Sequence, residues 1–178
     1  MILGFIGTGN ISSDVVTGIC NSNIKFKKIF ISPRNKKKAL YLKKYFKKVT
    51  IAKDNQDVIN KADWVFLGIL PKVGEAILPK LQFKNNQIIV SFLSTTNYQK
   101  LKRLIKTKSI IIRAIPMPPI RLAKGPVAIF PPNKKVKKFF DKIGTTIEIR
   151  NEKLSKNFWA ISGTMAAFYE LLNVLSKW

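Results

Sequence analysis

The chain has 178 residues, 46% of them hydrophobic and 11% aromatic, which suits one α/β domain with a buried core and the start of another, and excludes a disordered chain. It has no histidine and a single cysteine, Cys20, so histidine-based nucleophilic schemes, histidine-ligated zinc and an intrachain disulfide are excluded, and with nine scattered acidic residues no metal site is expected. The formal net charge is +24, but 28 of the 33 basic residues are lysines spread along the chain, so the charge is read as solvated surface and nucleic acid is not expected as a partner.

An apolar strand, Ile2–Ile6, breaks into Gly7-Thr8-Gly9 and resumes as a helical pattern over residues 10–21 through Val15, Val16 and Ile19. Strand, tight glycine turn and helix N-terminus form the geometry that holds a dinucleotide pyrophosphate. Gly7 permits the turn, Gly9 lets the backbone approach the phosphates, and the helix directs free N–H groups and its positive dipole end at them. The third position of the fingerprint is Ser12 instead of Gly or Ala. A second strand over 28–32 leads into Ser32-Pro33-Arg34-Asn35 and then Lys36-Lys37-Lys38. An NAD site places an acid about 20 residues past the glycines to accept from the ribose 2′-hydroxyl. Here a hydroxyl and a guanidinium stand instead. Arg34 suits a 2′-phosphate gripped in bidentate fashion and Ser32 suits donation to it, so NADP(H) is predicted over NAD(H).

Alternation continues with a helix over 36–46, a strand over 49–52, a helix over 55–60 capped by Asp54 and a strand over 64–70. A helix over 73–81, a strand over 87–92, a helix over 98–105 and a strand over 109–114 follow. Extended pieces at 126–130 and 145–149 flank a helix over 134–143. Short links between apolar strands and amphipathic helices predict a Rossmann-like, doubly wound, mostly parallel α/β sheet. The carboxyl ends of its strands then bring residues 7–10, 32–34, 68–72, 94–97 and 116–119 to one rim, where ligands bind in such sheets. Cys20 is expected as a buried, inert thiol.

After Asn151 the pattern becomes one long helix over 154–178, carrying Phe158, Trp159, Ile161, Met165, Phe168, Leu171, Leu172, Val174, Leu175 and Trp178. That much apolar surface needs a cover. A second copy is expected to supply it, and the chain is expected to be a fragment of a longer one. Residues 1–150 are thus expected as a dinucleotide-binding domain and 151–178 as the first helix of an incomplete helical domain. No apolar run reaches the roughly 18 residues of a membrane span and no leader is evident, so a cytoplasmic protein is expected. Hydride transfer fits this inventory, because a nicotinamide carries the chemistry and the protein supplies position and electrostatics. A protonated imine is already an electrophile, and Ser94, Thr95, Ser162 and Thr164 could orient a carboxylate or a water.

The ordered set Gly4-Phe5-Ile6-Gly7-Thr8-Gly9-Asn10, Ile31-Ser32-Pro33-Arg34-Asn35, Gly68-Ile69-Leu70-Pro71-Lys72 and Arg113-Ala114-Ile115-Pro116-Met117-Pro118-Pro119 resembles pyrroline-5-carboxylate reductase. Gly125-Pro126-Val127-Ala128 and Ile161-Ser162-Gly163-Thr164-Met165-Ala166-Ala167 extend the match. The resemblance implies reduction of 1-pyrroline-5-carboxylate to proline with NAD(P)H, and a Rossmann domain joined to a helical domain that dimerises. It implies Gly7, Thr8, Gly9, Asn10 and Ile11 at the pyrophosphate and Ser32 with Arg34 at the 2′-phosphate. Asn55 would lie near the adenosine, and Gly68, Ile69 and Pro71 along the nicotinamide ribose. Ser94, Pro116, Met117, Gly163 and Thr164 are the substrate-side candidates; no catalytic residue is assigned. The chain departs from the family pattern at Leu70, where Lys is usual, at Met117-Pro118, where Asn-Thr is usual, and at 163–167, which lacks a proline. A related reductase of another imine or carbonyl, or a non-catalytic cofactor-binding homologue, therefore stands beside the proline-forming reading.

Overall fold

The computed structural model describes residues 1–178, with the side chains of residues 156–163, 165 and 166 outside the described set. Eight strands form one sheet: β1 (Ile2–Ile6), β2 (Lys28–Ile31), β3 (Val49–Ile51), β4 (Trp64–Leu67), β5 (Ile88–Ser91), β6 (Ile110–Pro116), β7 (Pro126–Phe130) and β8 (Thr145–Glu148). Their spatial order is β3-β2-β1-β4-β5-β6-β7-β8. Six α-helices flank it, α1 (Asn10–Cys20), α2 (Lys36–Tyr45), α3 (Asn55–Lys61), α4 (Pro71–Ile77), α5 (Tyr98–Ile105) and α6 (Lys134–Phe140), and α7 (Ser155–Leu175) follows the last strand. This is the Rossmann-like α/β architecture that the alternating pattern predicts.

Strands β1 to β6 run parallel, and their apolar sequences follow from burial on both faces. Leu3, Phe5 and Phe66 face α1, α2 and α6, where Val15, Ile19, Leu42 and Phe140 close over them. Phe5 and Phe66 stack with centroids 4.5 Å apart. Ile6, Val65, Leu67 and Ile89 face the other way, against Val58 and Ile59 of α3 and Leu101 of α5. The register aligns Ile6, Leu67, Ser91 and Arg113 in one row, so the loops that follow β1, β4 and β5 open side by side.

Several elements depart from their predicted extents. Strand β4 stops at Leu67 instead of residue 70, because Leu70 is an extended N-cap and Pro71 takes the first position of α4, which proline's fixed φ favours. Strand β6 runs on to Pro116, past the row of its neighbours, because β7 pairs with it antiparallel, Pro116 opposite Val127. Residues Pro118–Leu122, given no element from sequence, form a 3-10 turn against α1. The last helix begins at Ser155 and ends at Leu175, inside the predicted 154–178, and Phe168, Leu171, Val174 and Leu175 on it are exposed. Among the described residues no helix is long and apolar enough to cross a membrane.

The turn after β1 and the loop after β4 touch where neither has a side chain. Gly7 has φ of 89°, and a Cβ there would lie 2.3 Å from the Gly68 carbonyl oxygen. A Cβ on Gly68 would lie 1.9 Å from Ser12 Oγ, so Gly68 makes the room that Ser12 uses. Gly68→Ala is expected to cost about 1–3 kcal/mol by overpacking. Ser12 Oγ has no hydrogen-bond partner among the described residues. The cost should therefore shrink at least twofold in a Ser12→Ala background, as read by urea unfolding. Cys20 is half-buried, and burial pushes its thiol up to about 12. Almost none of it is thiolate at mild alkaline pH. Ellman's reagent should label it slowly in the folded protein and rapidly in denaturant.

Candidate functional site

A cleft of about 500 Å³ opens at the carboxyl rim between β2, β1 and β4, lined by Gly7, Thr8, Gly9, Arg34, Gly68 and Ile69, with Asn35, Lys36, Leu70 and Val73 completing its walls. Its floor is the N-terminus of α1. Helices α2, α3, α5 and α6 are capped by the side chains of Asn35, Asp54, Asn97 and Asn133, each accepting backbone N–H bonds from the first turn. By contrast, the N-cap of α1 is Gly9, which offers no side-chain acceptor, and the helix has no acid in its first turn. Its N–H groups therefore point into the cleft without a local acceptor. A Cβ on Gly9 would meet nothing nearer than 3.9 Å, so the approach to those groups is open.

Ser32 shapes this turn from below. It is buried, Gly7 N–H donates to its Oγ at 2.8 Å, and the Thr8 hydroxyl donates to its carbonyl at 2.7 Å. Ser32 thus pins the glycine turn to the end of β2, and its hydroxyl does not reach the cleft, unlike the donor position expected from sequence. Arg34 is exposed at the cleft wall and has no carboxylate partner among the described residues. Asn10 accepts from the Lys38 ammonium, which places a second cation beside the start of α1. Asp14, further along α1, is pushed above the usual carboxylate range by burial, a rise opposed by Arg121 and Lys38. Of the remaining predicted cofactor residues, Ile11 is half-buried against the core, Asn55 opens α3 and Pro71 opens α4. These three lie off the walls of the cleft.

A second cavity, about 470 Å³, lies along the same rim beyond β5, lined by Ser94, Thr95, Asn97, Arg113, Glu152 and Ser155. Arg113 is the feature that sequence reading left without a role. It stands in an otherwise apolar strand, Ile110-Ile111-Ile112-Arg113, and its side chain is only 6% exposed. A buried guanidinium needs acceptors. It donates to Glu152 and, at 2.7 Å, to the Ser94 carbonyl, while the Tyr98 N–H donates to Glu152 at 2.7 Å. The pair ties β6, the loop after β5 and the start of the last helix into one corner. Burial and the Glu152 charge push the Tyr98 hydroxyl above its ordinary value. Of the substrate-side candidates, Ser94 lines this cavity. Pro116 is buried at the end of β6 and Met117 is half-buried beyond it, so neither joins Ser94 there. Thr164 is exposed on α7, and Gly163 falls outside the described side chains.

With this geometry in place, a family model described as NADP oxidoreductase coenzyme F420-dependent matches residues 2–95, more than half of the chain and the stretch that builds the first cleft. The chain belongs to this family. Its resemblance to pyrroline-5-carboxylate reductase is borne out by relatives and structures. The pyrroline-5-carboxylate reductase of Staphylococcus epidermidis is 26% identical over 180 residues, which cover 94% of this chain and 65% of that protein. The structure of 1-pyrroline-5-carboxylate reductase from Streptococcus pyogenes superposes with a TM-score of 0.82 at 26% identity, covering 99% of this chain and 69% of that one. That of Plasmodium falciparum pyrroline carboxylate reductase with NADP bound gives 0.81 at 23%, covering 97% and 66%. This member of the NADP oxidoreductase family thus spans 65% of the curated relative's length.

Removing the charge of Glu152 leaves the Arg113 guanidinium buried against neutral neighbours. Loss of one partner of a fully buried pair costs about 3–5 kcal/mol, and Glu152 is 28% exposed. Glu152→Gln should therefore destabilise by about 2 kcal/mol after screening. The double variant Arg113→Met/Glu152→Leu should recover at least half of that loss in chemical denaturation.

Proposed function

We propose that the chain is the NADP(H)-binding part of an imine reductase that converts 1-pyrroline-5-carboxylate to proline. The observation that carries this reading is the convergence, in one cleft, of an uncapped α1 N-terminus, a turn with no side chain in the way and the unpaired Arg34. That donor set suits a dinucleotide phosphate: backbone N–H groups and a helix dipole for the pyrophosphate, a guanidinium for the extra phosphate. The relatives named above are reductases of this substrate, and one is seen with NADP.

In this reading Gly7 to Ile11 meet the pyrophosphate, Gly7 by making the turn while its N–H stays on Ser32, and the following residues by their N–H groups. Arg34 meets the 2′-phosphate and Ser32 holds the turn in shape for it. Asn55 lies by the adenosine, and Gly68, Ile69 and Pro71 lie along the nicotinamide ribose. When bound, the dihydronicotinamide supplies a hydride for the carbon of the substrate's protonated C=N bond. Ser94 flanks the imine and its carboxylate, and Pro116, Met117, Gly163 and Thr164 stay as further substrate-side candidates implied by the resemblance; no residue is assigned as proton donor. Residues 1–150 then form the cofactor domain. Residues 151–178 open a helical domain through which copies pair as a dimer or a higher oligomer, in a cytoplasmic enzyme of proline biosynthesis.

NADPH consumption in the presence of pyrroline-5-carboxylate, compared with other cyclic imines, tests the activity. Uptake of NADPH with turnover of none of them would make the chain a cofactor-binding protein instead. Arg34→Ala is expected to weaken NADPH binding about 10- to 100-fold, the range of a charge-assisted contact, with under threefold loss for NADH. Equal losses for the two cofactors, measured by calorimetry, would remove the phosphate clamp from the reading.

A further inference from the structure

The opposite end of the sheet has a cleft of its own, about 320 Å³, where β4 begins. Trp64 and Phe139 form its aromatic wall, with ring centroids 5.0 Å apart, and Lys25, Lys135, Lys138 and Lys142 stand around it. None of these four ammonium groups has a carboxylate partner, and no acidic residue lines the cleft, among the described residues. The two of them on α6, Lys135 and Lys138, are not placed as stability alone favours. Lys137 pairs with Asp141 at 2.6 Å, whereas Lys135 and Lys138 stand three residues apart on α6 and Lys142 follows in the turn after it. Like charges at that spacing destabilise a helix by roughly 0.2–0.5 kcal/mol per pair. The aromatic wall is unusual too. Elsewhere lysines sit over rings, Lys48 at 5.2 Å from the Phe26 centroid and Lys61 at 5.0 Å from Phe30, yet among the described residues none covers Trp64.

A half-buried tryptophan at the cleft wall, with no cation over its ring and unpaired cations around it, is a donor set for a flat ring that carries a phosphate. We infer that this cleft binds a nucleotide unit, its base against Trp64 and its phosphate among Lys25, Lys135, Lys138 and Lys142. The unit comes either as a free nucleotide or as part of a single strand. The cleft lies at the amino ends of the strands, whereas the cofactor cleft lies at their carboxyl ends, so the two sites do not overlap.

The test uses the full chain and fluorescein-labelled oligothymidylate, with binding read by anisotropy at about 0.15 M salt, where long-range attraction between exposed charges is screened. Binding is expected, with about tenfold weakening by Lys138→Glu/Lys142→Glu and less than twofold by Lys80→Glu/Lys108→Glu, which makes the same change in net charge at exposed positions elsewhere. Circular dichroism checks that both double variants stay folded. Displacement of the probe by thymidine monophosphate identifies a free nucleotide as sufficient, and resistance to it identifies the strand as the source. Absence of binding, or equal weakening by the two double variants, overturns the proposal, the latter by assigning uptake to overall charge.

Discussion

Between the end of β1 and the end of β4 there is no space for a Cβ, and the candidate site is organised by that shortage. Gly7 and Gly68 stand face to face, Ser12 fills the remaining gap from α1, and Ser32 holds the turn from the end of β2. Three adjacent strands are thereby locked at their carboxyl ends into a shape whose surface is backbone. A surface made of peptide N–H groups is well suited to an anion and has no side chain to move aside. Ser12, at a position where Gly or Ala is usual, is accommodated by the neighbouring Gly68.

The second half of the rim is held by a different force. Arg113, Glu152 and the loop from Ser94 to Tyr98 form a charged corner with the guanidinium buried and the carboxylate at the cavity edge, and the contacts span up to 54 residues of sequence. Such a pair adds little net stability when complete, but an incomplete one is costly. Its value here is geometric: it fixes where the last helix leaves the sheet, next to the Ser94 cavity.

Most of the sheet was legible because parallel strands buried on both faces leave unbroken apolar runs, as in Ile2–Ile6 and Ile88–Ser91. The glycine turn and Arg34 were legible because local chemistry dictates them. What was not legible depends on partners far away in sequence. The antiparallel seat of β7 extends β6 to Pro116, and no local pattern announces that pairing. From local sequence the Ser32 hydroxyl looks like a ligand donor, because its bond to Gly7 crosses 25 residues. Arg113 did carry a signal, a lone cation in an isoleucine-rich strand, although its partner Glu152 lies in an unremarkable polar stretch.

Four helices of this fold finish their own first turns with an asparagine or aspartate, and α1 does not. Whatever anion seats there takes over the duty of a capping side chain. The first turn of this helix is thus one that an anion, rather than a side chain of the protein, would complete. In the proposed reading, folding and ligand uptake are coupled through a handful of peptide hydrogens, and the thermal midpoint climbs with the concentration of the occupant.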